Sequence, residues 1–189
     1  METKEKQPKN TQCSNLFLIS QILLRLLATI FAMASIFILR FSNEDIYLGS
    51  EAFGYLLVGK ARYSYSSALR YMLVVDAGVC VFSILSTILV LKAVKFSKNG
   101  PDHDFYFYLL IFDEVMMILA ISGCASATAI GMVALKGLNK PGISWAPVCP
   151  FAHKFCSKIT LSIITSYASF ACLITLTLIV ACKLKSRMQ

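Results

Sequence analysis

The sequence predicts an all-α membrane protein, a transmembrane four-helix bundle, and three observations carry that prediction. First, hydrophobic residues make up 57% of the 189-residue chain and charged residues 15%, where a soluble domain is about 45–50% apolar and about 25% charged. Second, the apolar residues are gathered into four long blocks, and about 20 residues of helix cross a ~30 Å hydrocarbon core. Third, no block alternates polar and apolar residues with a period of two, which argues against a membrane β-barrel. A bilayer offers no partners to backbone N–H and C=O groups, so spans of this kind are helical. The length suits a single domain.

Residues 1–15 (METKEKQPKNTQCSN) are polar and read as a disordered tail. The membrane domain then occupies residues 16–182. Its first helix spans about Leu16 to Leu39. That block exceeds the roughly 7–15-residue core of a signal peptide and ends at Arg40 and Phe41 without a small-residue cleavage site, so it reads as a retained helix. Residues 41–67 form a first outer loop, whose apolar patch AFGYLLVG predicts a short strand or a surface-lying segment. The second helix spans about 68–91. The middle loop, KAVKFSKNGPDHD, turns at Asn99, Gly100 and Pro101. The third helix, about 105–135, is long enough to tilt or to extend past the bilayer. A second outer loop holds three prolines and Trp145. The fourth helix spans about 159–182, and residues 183–189 form a short basic tail.

Four spans put both termini on one side. Basic residues divide almost evenly between the two sides, but those of the termini and the middle loop (Lys92, Lys95, Lys183 and Lys185 among them) sit on shorter segments. Their density beside the helix ends leans towards cytoplasmic termini. Cys149 and Cys156 fall seven residues apart in the second outer loop. Paired, they place that loop in an oxidising compartment; the alternative is two thiols near the membrane surface. Cys13 and Cys182 lie near the cytoplasmic ends of this topology, where palmitoylation is a candidate modification. The net charge of +8 is accounted for by basic residues at helix ends that attract anionic lipids. No nucleic-acid motif accompanies it.

Four ionisable residues interrupt the apolar blocks: Arg25, Asp76, Asp113 and Glu114. Such residues usually face a partner or a water-filled cavity. Arg25 lies roughly 13 Å into the first block and Asp113 roughly 12 Å into the third, counting about 1.5 Å per residue. Both blocks start from the same side, so the two residues share a depth. An Arg25–Asp113 ion pair joining helices one and three is the expectation. Asp76, counted from the opposite side, is expected roughly 8–10 Å away in height from Arg25 within a ~30 Å core. Glu114 shares the depth of Asp113 but points about 100° away around the helix. The rival reading of the four charges is a proton or ion relay, as in a small channel or transporter.

Gly123, Ala127 and Gly131 repeat every four residues in the third block, a spacing that lets helices approach closely, within the bundle or between protomers. Catalytic chemistry is not legible. His103 and His153, the two histidines, fall in loops on opposite sides. No His/Cys/Asp spacing suits zinc, and there is no phosphate-binding glycine loop or nucleophile elbow. The reading is therefore of a non-enzyme with no cofactor and no metal.

Several segments carry a family resemblance. LLRLLATIFAMAS with Arg25, SYSSALRYMLVVDAGVCVFSILS, FDEVMMILAISGCASATAIGMVALKG with Asp113, and the loop residues Trp145, Cys149, Phe155 and Cys156 resemble the Casparian-strip membrane-domain-protein-like (CASP-like) family of plants, related in architecture to four-span MARVEL proteins. The resemblance covers roughly residues 16–182, and the family's characteristic Arg and Asp fall on Arg25 and Asp113. It implies a plasma-membrane protein with cytoplasmic termini that forms homo- and hetero-oligomers, homodimers and heterodimers included, as a membrane scaffold. Membrane lipids and related four-span proteins are the implied partners, and no nucleic acid is. The founding members carry an acidic, Phe-rich segment in the first extracellular loop. It is absent here, so the resemblance implies a CASP-like protein rather than a role in the Casparian strip itself.

Overall fold

The computed structural model describes residues 9–49, 56–96, 103–140, 143–145 and 147–188. Four helices dominate it: α1 (Lys9–Arg40), α2 (Ser67–Phe96), α3 (His103–Lys136) and α4 (His153–Met188). Each contains a segment long and apolar enough to cross a membrane: Leu16–Arg40, Ser67–Lys92, Phe107–Lys136 and His153–Lys183. The chain is a multi-pass membrane protein. Two antiparallel hairpins stand outside the bundle at its far end, β1 (Glu44–Gly49) with β2 (Leu56–Ala61) and β3 (Leu138–Lys140) with β4 (Ile143–Trp145).

The helices run longer than their apolar blocks. α1 begins at Lys9, so residues 9–15 are helical rather than part of a disordered tail; residues 1–8 lie outside the described residues. A helix that the apolar block has already nucleated extends at little further cost. At the other end of the chain, α4 carries on through the basic tail to Met188. His103 and His153 open α3 and α4 rather than sitting in loops. The apolar patch in the first outer loop supplies β2, whose register pairs Leu48 with Leu57 and Tyr47 with Val58.

Helix ends are closed by local chemistry. Ser66 precedes α2, and its Oγ accepts from the Leu69 N–H at 3.4 Å, as an N-capping serine does. α3 stops at Gly137, whose φ of 69° only glycine adopts without strain. Its N–H donates back to the Val133 carbonyl at 2.9 Å, a left-handed C-terminal cap. The Val148 and Cys149 N–H groups donate to the Ala134 carbonyl at 2.9 and 3.1 Å. The second loop is thereby folded onto the end of α3. A disulfide joins Cys149 to Cys156, with the Cα atoms 5.6 Å apart.

Each helix packs on its neighbours in chain order, and α4 closes the ring against α1. α1 and α3 therefore lie diagonally, as do α2 and α4. The small residues of α3 turn into this bundle. Gly123 packs against α2, where an added Cβ would meet Met72 Cα at 3.5 Å and Val75 Cβ at 3.6 Å. Ala127 is fully buried, and a Cβ on Gly131 would meet Ile163 of α4 at 3.7 Å. Those are ordinary contact distances. Gly123→Ala is therefore expected to leave the melting temperature of the purified protein in detergent nearly unchanged. Gly123→Leu is expected to force α2 and α3 apart at a cost of about 1–3 kcal/mol, the usual range for overpacking.

Candidate functional site

The bundle end that carries both termini is called here the terminal end, and the opposite one the hairpin end. Two polar layers cross the interior between them. In the layer nearer the terminal end, Arg25 reaches from α1 across the bundle to Asp113 on α3. Its Nη1 donates to Oδ1 at 3.0 Å and its Nη2 to Oδ2 at 2.6 Å. Two parallel bonds match the planar guanidinium to the carboxylate. Nη1 also donates to Ser86 Oγ of α2 at 2.5 Å. Arg25 is 1% exposed and Asp113 0%, so the pair is buried and its charges cancel.

The depth of the pair follows from helix rise. Lys92 lies six residues beyond Ser86 on α2, and Arg40 fifteen residues beyond Arg25 on α1. At about 1.5 Å per residue these basic borders stand about 9 Å to one side of the pair and about 22 Å to the other. Together they bracket a ~30 Å hydrocarbon core. The pair therefore sits about 10 Å inside, where neither charge finds water.

The second layer is nearer the hairpin end and centres on Asp76. Ser166 of α4 donates to Asp76 Oδ1 at 2.7 Å, and Cys124 of α3 donates to Ser166 Oγ at 3.2 Å. Ser35 of α1 and Ser162 of α4 exchange bonds at 3.0–3.1 Å. Asp76 is 2% exposed, and its Oδ2 has no hydrogen-bond partner among the described residues. Ten residues separate Asp76 from Ser86, and ten separate Ser35 from Arg25, which places the two layers about 15 Å apart. The expected 8–10 Å is corrected. The first turns of α2 stand outside the apolar core, so counting inward from the edge of the apolar block places Asp76 too deep.

Between the layers lies a mainly apolar filling: Ala28 and Ala32 of α1, Val79 of α2, Ala120 of α3 and Leu173 of α4, all buried. With them stand two buried serines: Ser83, whose hydroxyl has no partner among the described residues, and Ser169, which donates to the Ala28 carbonyl at 3.0 Å. Leu39, Leu69, Met72, Ala127 and Ile159 close the hairpin end. A cavity of about 400 Å³ lies beyond that closure, lined by Leu69, Ala134 and Phe155 with Arg62 among its polar residues. It does not belong to either polar layer.

The structure thus brings Arg25 and Asp113 together and leaves Asp76 and Glu114 apart from them. Glu114, next to Asp113 in sequence, is exposed on the outside of α3. Among the described residues it has no hydrogen-bond or ion-pair partner. Cys182 is exposed; the side chains of Cys13 and Trp145 lie outside the described residues. Among the described residues, no three His, Cys, Asp or Glu side chains gather as metal ligands. Sequence reasoning missed Ser86, Ser35, Ser162, Ser166 and Gln21. The last lies one turn from Arg25, fully buried, with no partner for its amide among the described residues. The signal for the serines was the spacing of Ser162, Ser166 and Ser169, which puts three hydroxyls on one face of an apolar helix.

Comparison with known proteins gives a consistent picture. The family model described as the Casparian strip membrane protein domain matches residues 14–172. CASP-like protein 1F2 of Ricinus communis is 38% identical over 177 residues, covering 94% of this chain and 83% of the relative. CASP-like protein 1F2 of Vitis vinifera is 37% identical over 169 residues, covering 89% and 82%. CASP-like protein 1F3 of Populus trichocarpa is 33% identical over 180 residues, covering 95% and 88%. No solved structure matches the chain.

Two substitution experiments test the layers. Arg25→Asp or Asp113→Arg singly should strand like charges inside the bundle, at a cost of about 3–5 kcal/mol. Size-exclusion profiles in detergent should show misassembly for each. The double exchange should recover a monodisperse peak; a double variant as aggregated as the singles would speak against direct pairing. Ser166→Ala should cost less, about 1–3 kcal/mol for one lost bond to a buried acceptor, read as a lowered melting temperature.

Proposed function

The chain belongs to the Casparian strip membrane protein domain family, and on that premise we propose that it is a non-enzymatic plasma-membrane scaffold. In this reading it oligomerises in the membrane plane with copies of itself and with related four-span, MARVEL-like proteins. It organises a membrane subdomain or recruits cell-wall-modifying partners. Both termini are cytoplasmic. The disulfide between Cys149 and Cys156 supports that orientation, because such bonds persist on the oxidising side of a membrane.

The observation that carries the reading is the separation of the two polar layers. A small channel or transporter using Arg25, Asp76, Asp113 and Glu114 needs those groups joined by a polar path. Val79, Ala120 and Leu173 are buried in the about 15 Å between them. The two buried hydroxyls there do not join into a path: Ser169 bonds the Ala28 carbonyl, and the Ser83 hydroxyl bonds neither it nor any other described residue. Each span is also one unbroken helix, whereas transporters commonly unwind helices at their sites. In the Arg25–Asp113 layer the buried charges cancel and brace the bundle. A pair so neutralised leaves no free charge at that layer for a passing ion.

Two measurements test the proposal. A fluorescent fusion followed by single-particle tracking in plant cells should show slow, confined diffusion, with proximity labelling returning a stable set of neighbours. Fast, unconfined diffusion without stable neighbours would sink the scaffold reading. After mild reduction of intact cells, a membrane-impermeant thiol reagent should label Cys156, the less buried of the pair, and leave Cys182 untouched; the opposite pattern would reverse the orientation.

A further inference from the structure

Asp113 and Glu114 are consecutive acids at one depth in the membrane, and they meet opposite surroundings. Asp113 turns inward and is neutralised by Arg25. Glu114 turns outward from the same turn of α3 and is exposed. The carboxylate sits about 10 Å from the Lys92 border, by the helix rise already used. That is farther than a glutamate side chain reaches, and an ionisable group at such depth ordinarily faces a partner. A second copy of this chain does not bring the missing charge. Among the described residues, the basic side chains other than Arg25 lie on the border turns or beyond them, as Arg40, Arg70, Lys92 and Lys183 do, and Arg25 is buried in its own pair.

We propose that the outward face of α3 around Glu114 docks a membrane-spanning helix of a different protein, one that carries an arginine or lysine at the same depth. Charge complementarity selects that partner: the contact repeats between chains what Arg25 and Asp113 do within one. The surrounding face suits helix packing. Ile118, Ala125 and Ala129 follow Glu114 on the same side of α3 and are exposed, and small residues let a second backbone approach. The inference rests on the scaffold reading for its purpose, since it gives the scaffold a recruitment face, but the contact is measurable by itself.

The test uses the full-length protein in phosphatidylcholine vesicles and a synthetic leucine–alanine transmembrane peptide with a single arginine about 10 Å from one end of its apolar stretch. Energy transfer between labelled protein and peptide reports association. The arginine peptide should bind about tenfold more tightly than the same peptide with leucine in that place, a modest ion-pair ratio. Glu114→Gln should remove the preference, and Ala125→Trp should weaken binding while keeping the charge. Unchanged melting temperatures of both variants would confirm that the bundle is intact. Equal binding of the two peptides, or an arginine preference that survives Glu114→Gln, overturns the proposal. So does protein self-association that depends on Glu114. Confined diffusion in cells that persists in Glu114→Gln would leave the scaffold standing without this face; unconfined diffusion of the wild type would fell the scaffold whatever the peptide does.

Discussion

Arg25 and Asp113 face each other across the middle of the bundle, and the arrangement of the four helices follows from what that pair requires. A guanidinium and a carboxylate about 10 Å inside hydrocarbon are tolerable only in direct contact and with their remaining hydrogen-bonding capacity largely met. Direct contact fixes the relative height of α1 and α3, because both side chains are short compared with the span. It also fixes their rotation, since each helix must turn one face to the centre. Ser86 adds α2 to the same layer. Three of the four helices are thus registered by one cluster, and the apolar surfaces can pack only in the arrangement that leaves it intact.

The second layer completes what the first leaves open. α4 takes no part in the inner cluster, but its Ser162 and Ser166 bond to Ser35 of α1 and Asp76 of α2. The inner pair ties one diagonal of the bundle and the Asp76–Ser166 bond ties the other. Non-specific apolar packing distinguishes poorly between one helix rotation and the next within a membrane, where lipid tails are as apolar as the side chains. Two layers of directional bonds remove that ambiguity. The residues Ala28, Val79, Ala120 and Leu173 between them hold the two sets of hydrogen bonds apart.

The spans and the central pair were legible in the sequence for a simple reason. A charge in an apolar block is rare, and helix rise turns its position into a depth, so Arg25 could be matched with Asp113 from numbering alone. The same arithmetic failed for Asp76 because it depends on where the block meets the membrane surface, and α2 begins above that surface. Serines were illegible singly. A hydroxyl in a membrane helix can always bond its own backbone, as Thr29 does to Arg25 O and Thr87 to Ser83 O, so its presence says little about neighbours. The small residues Gly123, Ala127 and Gly131 marked a contact face without saying whose. The continuation of α1 below Leu16 was hidden by polar composition, which describes solvation better than it describes backbone conformation.

The crossed ties also have a mechanical meaning. A four-helix frame held only by side-chain packing shears readily, like a square of hinged rods, whereas one tied along both diagonals keeps its cross-section under lateral load. Membranes are subject to tension and bending. A unit whose outline does not deform presents neighbouring molecules with the same angles from one moment to the next. The pair of diagonal ties supplies that fixity without thickening the molecule.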